Sequence, residues 1–306
     1  MEQKGVISLG EAFVDFISID QTNTKYQQLL GGATVNLAVG TSRLGIPAYY
    51  LCKLGMDEVS QFVEKEFKKE RIDTSFAVHS LSKKICGVYV HINENGERYF
   101  HSYVNPTPDE VLSENELRKE VFDRAKIFYF GSGTLFHEKT KKTTDRALRY
   151  AKGAGNVIAF DANLRLKRWE SEDHCRQTVS SFLPHAQIVK LAEDELHLLT
   201  GTDSLEAGID QLSKWKIPYL FITMGSKGAC AVINGKQVFA PAPTVNAIDT
   251  TGAGDAFMSA LLYCFHEKGL PTNLSQINEY LQFANKVGAA ATTKIGSLSV
   301  NFNKKS

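Results

Sequence analysis

Residues 249 to 255 read Asp-Thr-Thr-Gly-Ala-Gly-Asp, and Ala256 to His266 continue as a helix-forming stretch. Two glycines and an aspartate therefore stand where a helix begins. Gly252 and Gly254 admit backbone conformations closed to residues with a side chain, so neighbouring N–H groups can converge on one point. The first helical turn adds unpaired N–H groups and the positive end of the helix dipole. Such a socket binds an anion, and a phosphate in transfer suits it. A carboxylate beside that anion is electrostatically misplaced unless Asp255 takes a proton from an attacking group. An aspartate at a helix start is ordinarily an N-cap, and a lone Gly-x-Gly is ordinarily a turn. The seven residues alone leave both readings open.

Residues that would complete a phosphotransfer site lie elsewhere in the chain. Asp15 follows the first apolar stretch in Gly10-Glu-Ala-Phe-Val-Asp15. Gly31-Gly32-Ala-Thr-Val-Asn36 opens a helix that continues through Leu37 to Leu44 and stops at Gly45. The glycine pair lets a ligand approach the backbone, and Asn36 lies one turn in. Asp and Asn suit sugar hydroxyls, which both donate and accept. Asn163 and Arg165 directly follow an apolar strand in Asp161-Ala-Asn-Leu-Arg-Leu-Lys-Arg-Trp169. Arginine offers phosphate a planar fork of donors. Lys190-Leu-Ala-Glu-Asp-Glu195 follows another strand. Part of its acidic run is the usual charge of a first helical turn, but Glu195 is placed to hold a water of Mg²⁺. Gly225-Ser-Lys-Gly228, after a strand ending at Thr223, is a turn fit for nucleotide contact. No Gly-x-x-x-x-Gly-Lys-Ser/Thr loop occurs, and protein-kinase motifs are absent.

The elements that must position these residues alternate along the chain. Val6–Leu9, Ile127–Phe130, Val157–Phe160, Ile188–Leu191 and Tyr219–Thr223 read as buried strands, separated by amphipathic stretches such as 139–152, 172–182 and 204–214. Alternation of this kind predicts an α/β fold, a mostly parallel sheet with helices on both faces. In such sheets ligands bind beyond the carboxyl ends of the strands. Residues 85–92, the turn Asn93-Glu-Asn-Gly96 and residues 97–103 break the pattern and predict a β-hairpin. With a strand over 12–19 it forms a small β lid, inserted at about 12–33 and 85–105 into a single domain spanning 1–306. Asp15 is expected at the junction of sheet and lid, and Arg98, Lys83 and Lys84 as solvated charges.

Composition excludes several classes. Of 306 residues 43% are hydrophobic, and 35 basic against 34 acidic residues leave a formal charge of +1. That balance carries no footprint for nucleic acid or an anionic membrane. No apolar run reaches the length of a membrane span, and no targeting segment is expected. The five cysteines form no Cys-x-x-Cys pair, so buried thiols in a reducing cytoplasm are expected. His137, His197 and His266 are read as structural rather than as metal ligands.

Taken in order, these pieces resemble the ribokinase-like (PfkB) sugar kinases, from Gly10 to about Ser297. The resemblance rests on Gly31-Gly32 through Gly45 and on Asp-Thr-Thr-Gly-Ala-Gly-Asp-Ala-Phe257. Within the family the chain looks most like bacterial fructokinases, through Asp161 to Trp169, the lid phrase 95–112 and the segment 284–297. The resemblance implies a Rossmann-like fold with a β lid. It implies Asp255 as catalytic base and Gly252, Ala253 and Gly254 as anion hole, with Arg165 assisting. Asp15, Gly31, Gly32 and Asn36 match the sugar site, to which Tyr103 and Asn105 of the lid are added. Asn163, Lys190, Glu195, Thr223, Gly225, Gly228 and Asn285 fall at nucleotide or Mg²⁺-associated positions. Backbone around Asp249 and Thr251, with 288–297, resembles the family's monovalent-cation site. ATP, Mg²⁺ and K⁺ are the cofactors so implied, and the lid face suits a homodimer.

Three departures from the family's phrases bear on substrate. Ala192 stands where Asn or Ser is common. Ala-Thr-Val-Asn follows Gly32 where fructokinases often have Ala-Pro-Ala-Asn, a phrase nearer 2-keto-3-deoxygluconate kinases. Those enzymes, however, place an arginine for the substrate carboxylate where Val104 stands here. A buried carboxylate without a cation is costly, which favours an uncharged sugar such as fructose. A sugar-acid kinase, a nucleoside or sugar-phosphate kinase, and a catalytically silent sugar-binding regulator are the other readings.

Overall fold

The structure, a computed structural model, describes residues 3–105, 110–294 and 296. It begins with β1 (Val6–Leu9), β2 (Phe13–Ser18), β3 (Tyr26–Gly31), α1 (Ala33–Arg43), β4 (Ala48–Leu51) and the short β5 (Lys53–Leu54). Helix α2 (Glu58–Lys69) precedes β6 (Ile72–Asp73), β7 (Val78–His79), β8 (Cys86–Ile92) and β9 (Arg98–Val104). After α3 (Glu120–Arg124) the chain alternates through β10 (Ile127–Gly131), α4 (Glu138–Ala154), β11 (Val157–Asp161), α5 (Glu172–Phe182) and β12 (Ile188–Ala192). It continues through α6 (Glu193–Thr200), α7 (Leu205–Leu212) and β13 (Tyr219–Thr223) to β14 (Ala229–Ile233), β15 (Lys236–Ala240), α8 (Ala253–Lys268) and α9 (Leu274–Ala291).

Nine strands form the main sheet in the order β15-β14-β13-β12-β11-β10-β1-β4-β6. Every pair from β6 to β13 is parallel, while β14 and β15 add an antiparallel edge. Period-two alternation decides which side chains reach which face. Ile7, Phe128, Phe130, Phe160 and Val189 pack with Leu148 of α4, Val179 of α5 and Leu196 of α6. Their neighbours Val6, Ile127, Tyr129, Ala159 and Ile188 point the other way, against Leu37 of α1, Leu261 of α8 and Tyr280 of α9. The expected two-faced parallel sheet is therefore present, with the antiparallel edge as an addition.

A second sheet, ordered β3-β2-β8-β9, contains the predicted hairpin. Strand β2 pairs antiparallel with β3 and parallel with β8. Asp15 lies in the middle of β2, opposite Leu29 and Val88, and not at a sheet junction. A run of alternating side chains through residue 18 keeps the strand going past it. Lys83 also differs from expectation: it is buried, with Nζ 2.6 Å from Glu11. Lys84 does remain half-exposed, 3.2 Å from Asp57.

Helices α1 and α8 cross where α1 carries Gly40. A Cβ there would stand 2.3 Å from Ser259 Oγ and 2.7 Å from Ser259 Cβ, so the missing side chain sets the distance between the helices. Ser259 Oγ in turn lies 2.8 Å from the Asp255 carbonyl and 3.3 Å from that of Leu37. Overpacking such a contact costs about 1–3 kcal/mol. Gly40→Val is expected to lower unfolding stability by that amount, measured by denaturant titration; an unchanged midpoint would contradict this packing.

Candidate active site

Helix α8 starts at Gly252, whose φ of 79° and ψ of 0° place it in the left-handed region that glycine tolerates best. The turn is closed by the Ala253 N–H donating to the Thr250 carbonyl at 3.2 Å. Among the described residues no acceptor takes the amides of Gly252, Gly254 or Asp255. These three open N–H groups lie at a helix N-terminus, where an anion would be favoured, and the Ala253 amide is already engaged.

Asp255 is the third helical residue, not the cap. Its Oδ2 accepts a 2.8 Å bond from Nδ2 of Asn36, one turn into α1, and both residues are buried. Burial pushes the Asp255 carboxyl above the usual range, opposed by the Asn36 bond and by the Lys190 and Arg165 charges. Those three contacts favour the ionised form that a proton acceptor needs.

A cavity of about 260 Å³ opens from Asp255. Its lining includes Asp15, Gly32, Asn36, Tyr103, Asn163, Arg165, Thr251 and Gly252 of the anticipated residues. Gly31 lies behind it: a Cβ there would come within 2.8 Å of Asp15 Oδ2, so glycine is what lets that carboxylate stand against β3. Burial pushes Asp15 up to about 6. Asn105 has left-handed backbone (φ 52°), is exposed, and is not among the described lining residues.

Lys190 on β12 is buried and paired with Asp161 of β11 at 3.0 Å. Burial works most strongly against its charge, but Asp161, Glu195 and Asp255 together outweigh it and hold the Lys190 pKa above its ordinary value. Its Nζ is 3.1 Å from where a Gly254 Cβ would be, so the ammonium faces the start of α8. Glu195 accepts the Leu164 N–H at 2.6 Å and the Ala192 N–H at 2.8 Å. It thereby clamps the 161–165 loop that carries Asn163 and Arg165 to the start of α6.

The remaining nucleotide candidates lie further along the carboxyl edge of the sheet. Thr223 ends β13, and Gly225 (φ 55°) and Gly228 (φ 111°) bound the turn into β14. Asn285 on α9 donates to the Ala240 carbonyl at 2.8 Å, anchoring the end of β15. None of these lines the 260 Å³ cavity. Asp249 accepts the N–H of Thr251 and of Gly296, both at 2.9 Å, and the Ile248 and Asp249 amides donate to Thr292. Residues 248–251 are thus strapped to the chain after α9. Within the expected cation segment, residues 295 and 297 lie outside those described, as do 106–109 of the lid phrase.

Several lining residues escaped sequence reading. Tyr129 lines the cavity from β10, and its buried hydroxyl has no partner among the described residues. Glu11, Phe13, Thr134 and Arg168 also line it. Only Arg168 offered a signal, as a second arginine three residues beyond Arg165. The histidines are structural where they are bonded: His266 accepts the Gly5 amide at 2.8 Å, and His137 caps Lys139 at 3.3 Å. The five cysteines are free. Among the described residues no group of three His, Cys, Asp or Glu could cage a metal, and no helix is long and apolar enough to cross a membrane.

Comparison with known proteins agrees with this fold. Residues 3–303 match the model of the pfkB family carbohydrate kinases. Fructokinase-1 of Zea mays is 34% identical over 304 residues, covering 96% of this chain and 93% of the relative. A fructokinase of Vibrio alginolyticus is 31% identical over 290 residues, covering 95% and 93%. The crystal structure of fructokinase from Vibrio cholerae O395, with fructose, ADP and calcium ion bound, superposes with a TM-score of 0.85 at 29% identity, covering 97% of this chain and 95% of that one. With a buried aspartate beside a glycine-led helix start, in an α/β frame shared along the whole chain, this protein belongs to the pfkB family of carbohydrate kinases.

Proposed function

We propose that the protein transfers the γ-phosphate of MgATP to a hydroxyl of fructose. The observation that carries this reading is the Asp255 carboxylate, held at 2.8 Å by Asn36 beside the open amides of α8 and facing the cavity. Fructokinases among the relatives, one of them solved with fructose and ADP, support the substrate pair. Val104, in place of a lid cation, favours an uncharged acceptor over 2-keto-3-deoxygluconate.

In this mechanism Asp255 accepts the proton of the primary hydroxyl as its oxygen bonds to the γ-phosphorus. The bond from phosphorus to the β–γ bridging oxygen breaks, and ADP leaves. The Gly252, Gly254 and Asp255 amides face the phosphoryl oxygens as charge develops, with Arg165 and Lys190 alongside. Positioning and electrostatics supply most of the acceleration in phosphoryl transfer. Asp15, Gly31, Gly32, Asn36, Tyr103 and Asn105 serve the sugar. Asn163, Lys190, Glu195, Thr223, Gly225, Gly228 and Asn285 serve the nucleotide, the last four through backbone and loop shape. The small sheet acts as a lid that excludes water as a competing acceptor.

The donor set fits Mg²⁺ held chiefly by nucleotide phosphates, since no protein cage exists among the described residues. Glu195 keeps lone pairs for a water of that ion beyond its two amide bonds. Mg²⁺ would neutralise charge on the phosphates. The strapped 248–251 segment, with Asp249 and Thr251, fits a monovalent cation such as K⁺. Free cysteines fit a cytoplasmic protein, and exposed Tyr99 and Phe100 on the lid fit a homodimer.

Three outcomes are expected. Coupled ADP release across fructose, ribose, 2-keto-3-deoxygluconate and adenosine should be highest with fructose; no turnover on any of them would reject the reading. Asp255→Asn should cut kcat by about 10²-fold or more while retaining nucleotide affinity, the scale of a positioned base; near-normal turnover would remove Asp255 from the role. The third outcome concerns pH. Because burial raises Asp15 to about 6, its accepting form is lost as pH falls through that value. The KM for sugar should climb below pH 6, and a KM flat down to pH 5 would contradict a sugar-binding Asp15.

A further inference from the structure

Arg168 stands in the short 3₁₀ turn Leu166–Arg168, half-buried and lining the same cavity as Asp255. Two rings brace its guanidinium. Phe136 lies 4.1 Å away and Phe13, the first residue of β2, lies 5.3 Å away, measured to their centroids. Cation–π contacts of this kind hold a guanidinium in place without spending its N–H donors. Among the described residues no carboxylate pairs with Arg168, whereas the neighbouring Lys83 is neutralised by Glu11. The two arginines of the loop also occupy different ends of the cavity. Phe13 pairs with Gly31 and Cys86 at the root of the small sheet, so Arg168 stands against that root, whereas Arg165 acts by its charge on Asp255, which Asn36 holds on α8.

A braced guanidinium with a free edge in a sugar-sized cavity recognises paired oxygens. We propose that Arg168 is a specificity-determining residue, donating N–H bonds to the oxygens at the end of the sugar remote from the hydroxyl that Asp255 deprotonates. The inference rests on the phosphotransfer reading above. A ketohexose phosphorylated at its C6 hydroxyl carries adjacent oxygens, on C1 and C2, at that remote end. An aldopentose phosphorylated at C5 keeps an anomeric hydroxyl there but lacks the exocyclic hydroxyl that fructose carries on C1. Lysine would keep the charge but not the planar stack, and leucine would keep only the bulk.

The test is steady-state kinetics of the full-length protein with fructose and with 1-deoxyfructose, for the wild type, Arg168→Leu and Arg168→Lys. Hydrogen bonds to a charged donor carry about 1.5–3 kcal/mol, so Arg168→Leu should raise the KM for fructose by about 10-fold or more and change kcat little. Its effect on 1-deoxyfructose should be several-fold smaller, and Arg168→Lys should recover part of the loss. Equal losses on both sugars would show that Arg168 only braces the small sheet, and an unchanged KM would equally overturn the proposal. A wild-type preference for 2-keto-3-deoxygluconate that Arg168→Leu abolishes would overturn it in favour of carboxylate recognition. Absence of wild-type turnover on every sugar would instead defeat the phosphotransfer reading itself, a result distinguishable from any variant-specific outcome.

Discussion

The contact between the Asn36 amide and the Asp255 carboxylate organises the molecule around it. It joins the first turns of two helices that are 219 residues apart in sequence. A buried carboxylate is expensive unless its lone pairs are occupied by donors. Asn36 supplies one such donor from a neutral group, so the carboxylate keeps its charge without being cancelled by it. A lysine in that place would bind more strongly and depress proton affinity, leaving a poor base. The bond is possible only because α1 and α8 approach closely, and Gly40 against Ser259 is what permits that approach.

The surrounding charges follow from the same requirement. Lys190 lies close enough to α8 to meet an incoming anion, yet it is tied to Asp161 and so does not collapse onto Asp255. Glu195 spends both oxygens on backbone amides and fixes the loop that presents Asn163 and Arg165. Lys190 and Glu195 are thus each restrained by a partner other than Asp255. The carboxylate is left facing the cavity, where an acceptor hydroxyl would arrive.

Much of the frame was legible from the residues. Val6–Leu9 and Tyr219–Thr223 match β1 and β13, and 172–182 matches α5, because short β-branched runs and amphipathic periodicity report local structure directly. Strands β14 and β15 leave no comparable pattern, since Ala229–Ile233 and Lys236–Ala240 are short and the second exposes Lys236, Gln237 and Phe239 together. Asp15 is expected at the junction of sheet and lid because a charged residue after an apolar run looks like a terminus. In fact the cavity accepts it mid-strand. Lys83 was taken as solvated because its partner, Glu11, is 72 residues away and pairing at that range leaves no local trace. For the same reason Tyr129 looked like one more core aromatic, although its hydroxyl reaches a cavity wall.

The second sheet has a consequence for how this architecture can diversify. Strands β2 and β3 are spliced between β1 and α1, and β8 and β9 between β7 and α3, so one wall of the cavity is a sheet drawn from the first third of the chain, and Tyr129, Thr134 and Arg168 close it from later segments. The phosphoryl end is assembled from segments after residue 160. Changes in what the pocket selects can therefore accumulate largely in one stretch of the gene, provided Asn36 is kept for Asp255, while Arg168 offers a single point of adjustment inside the stretch that encodes transfer.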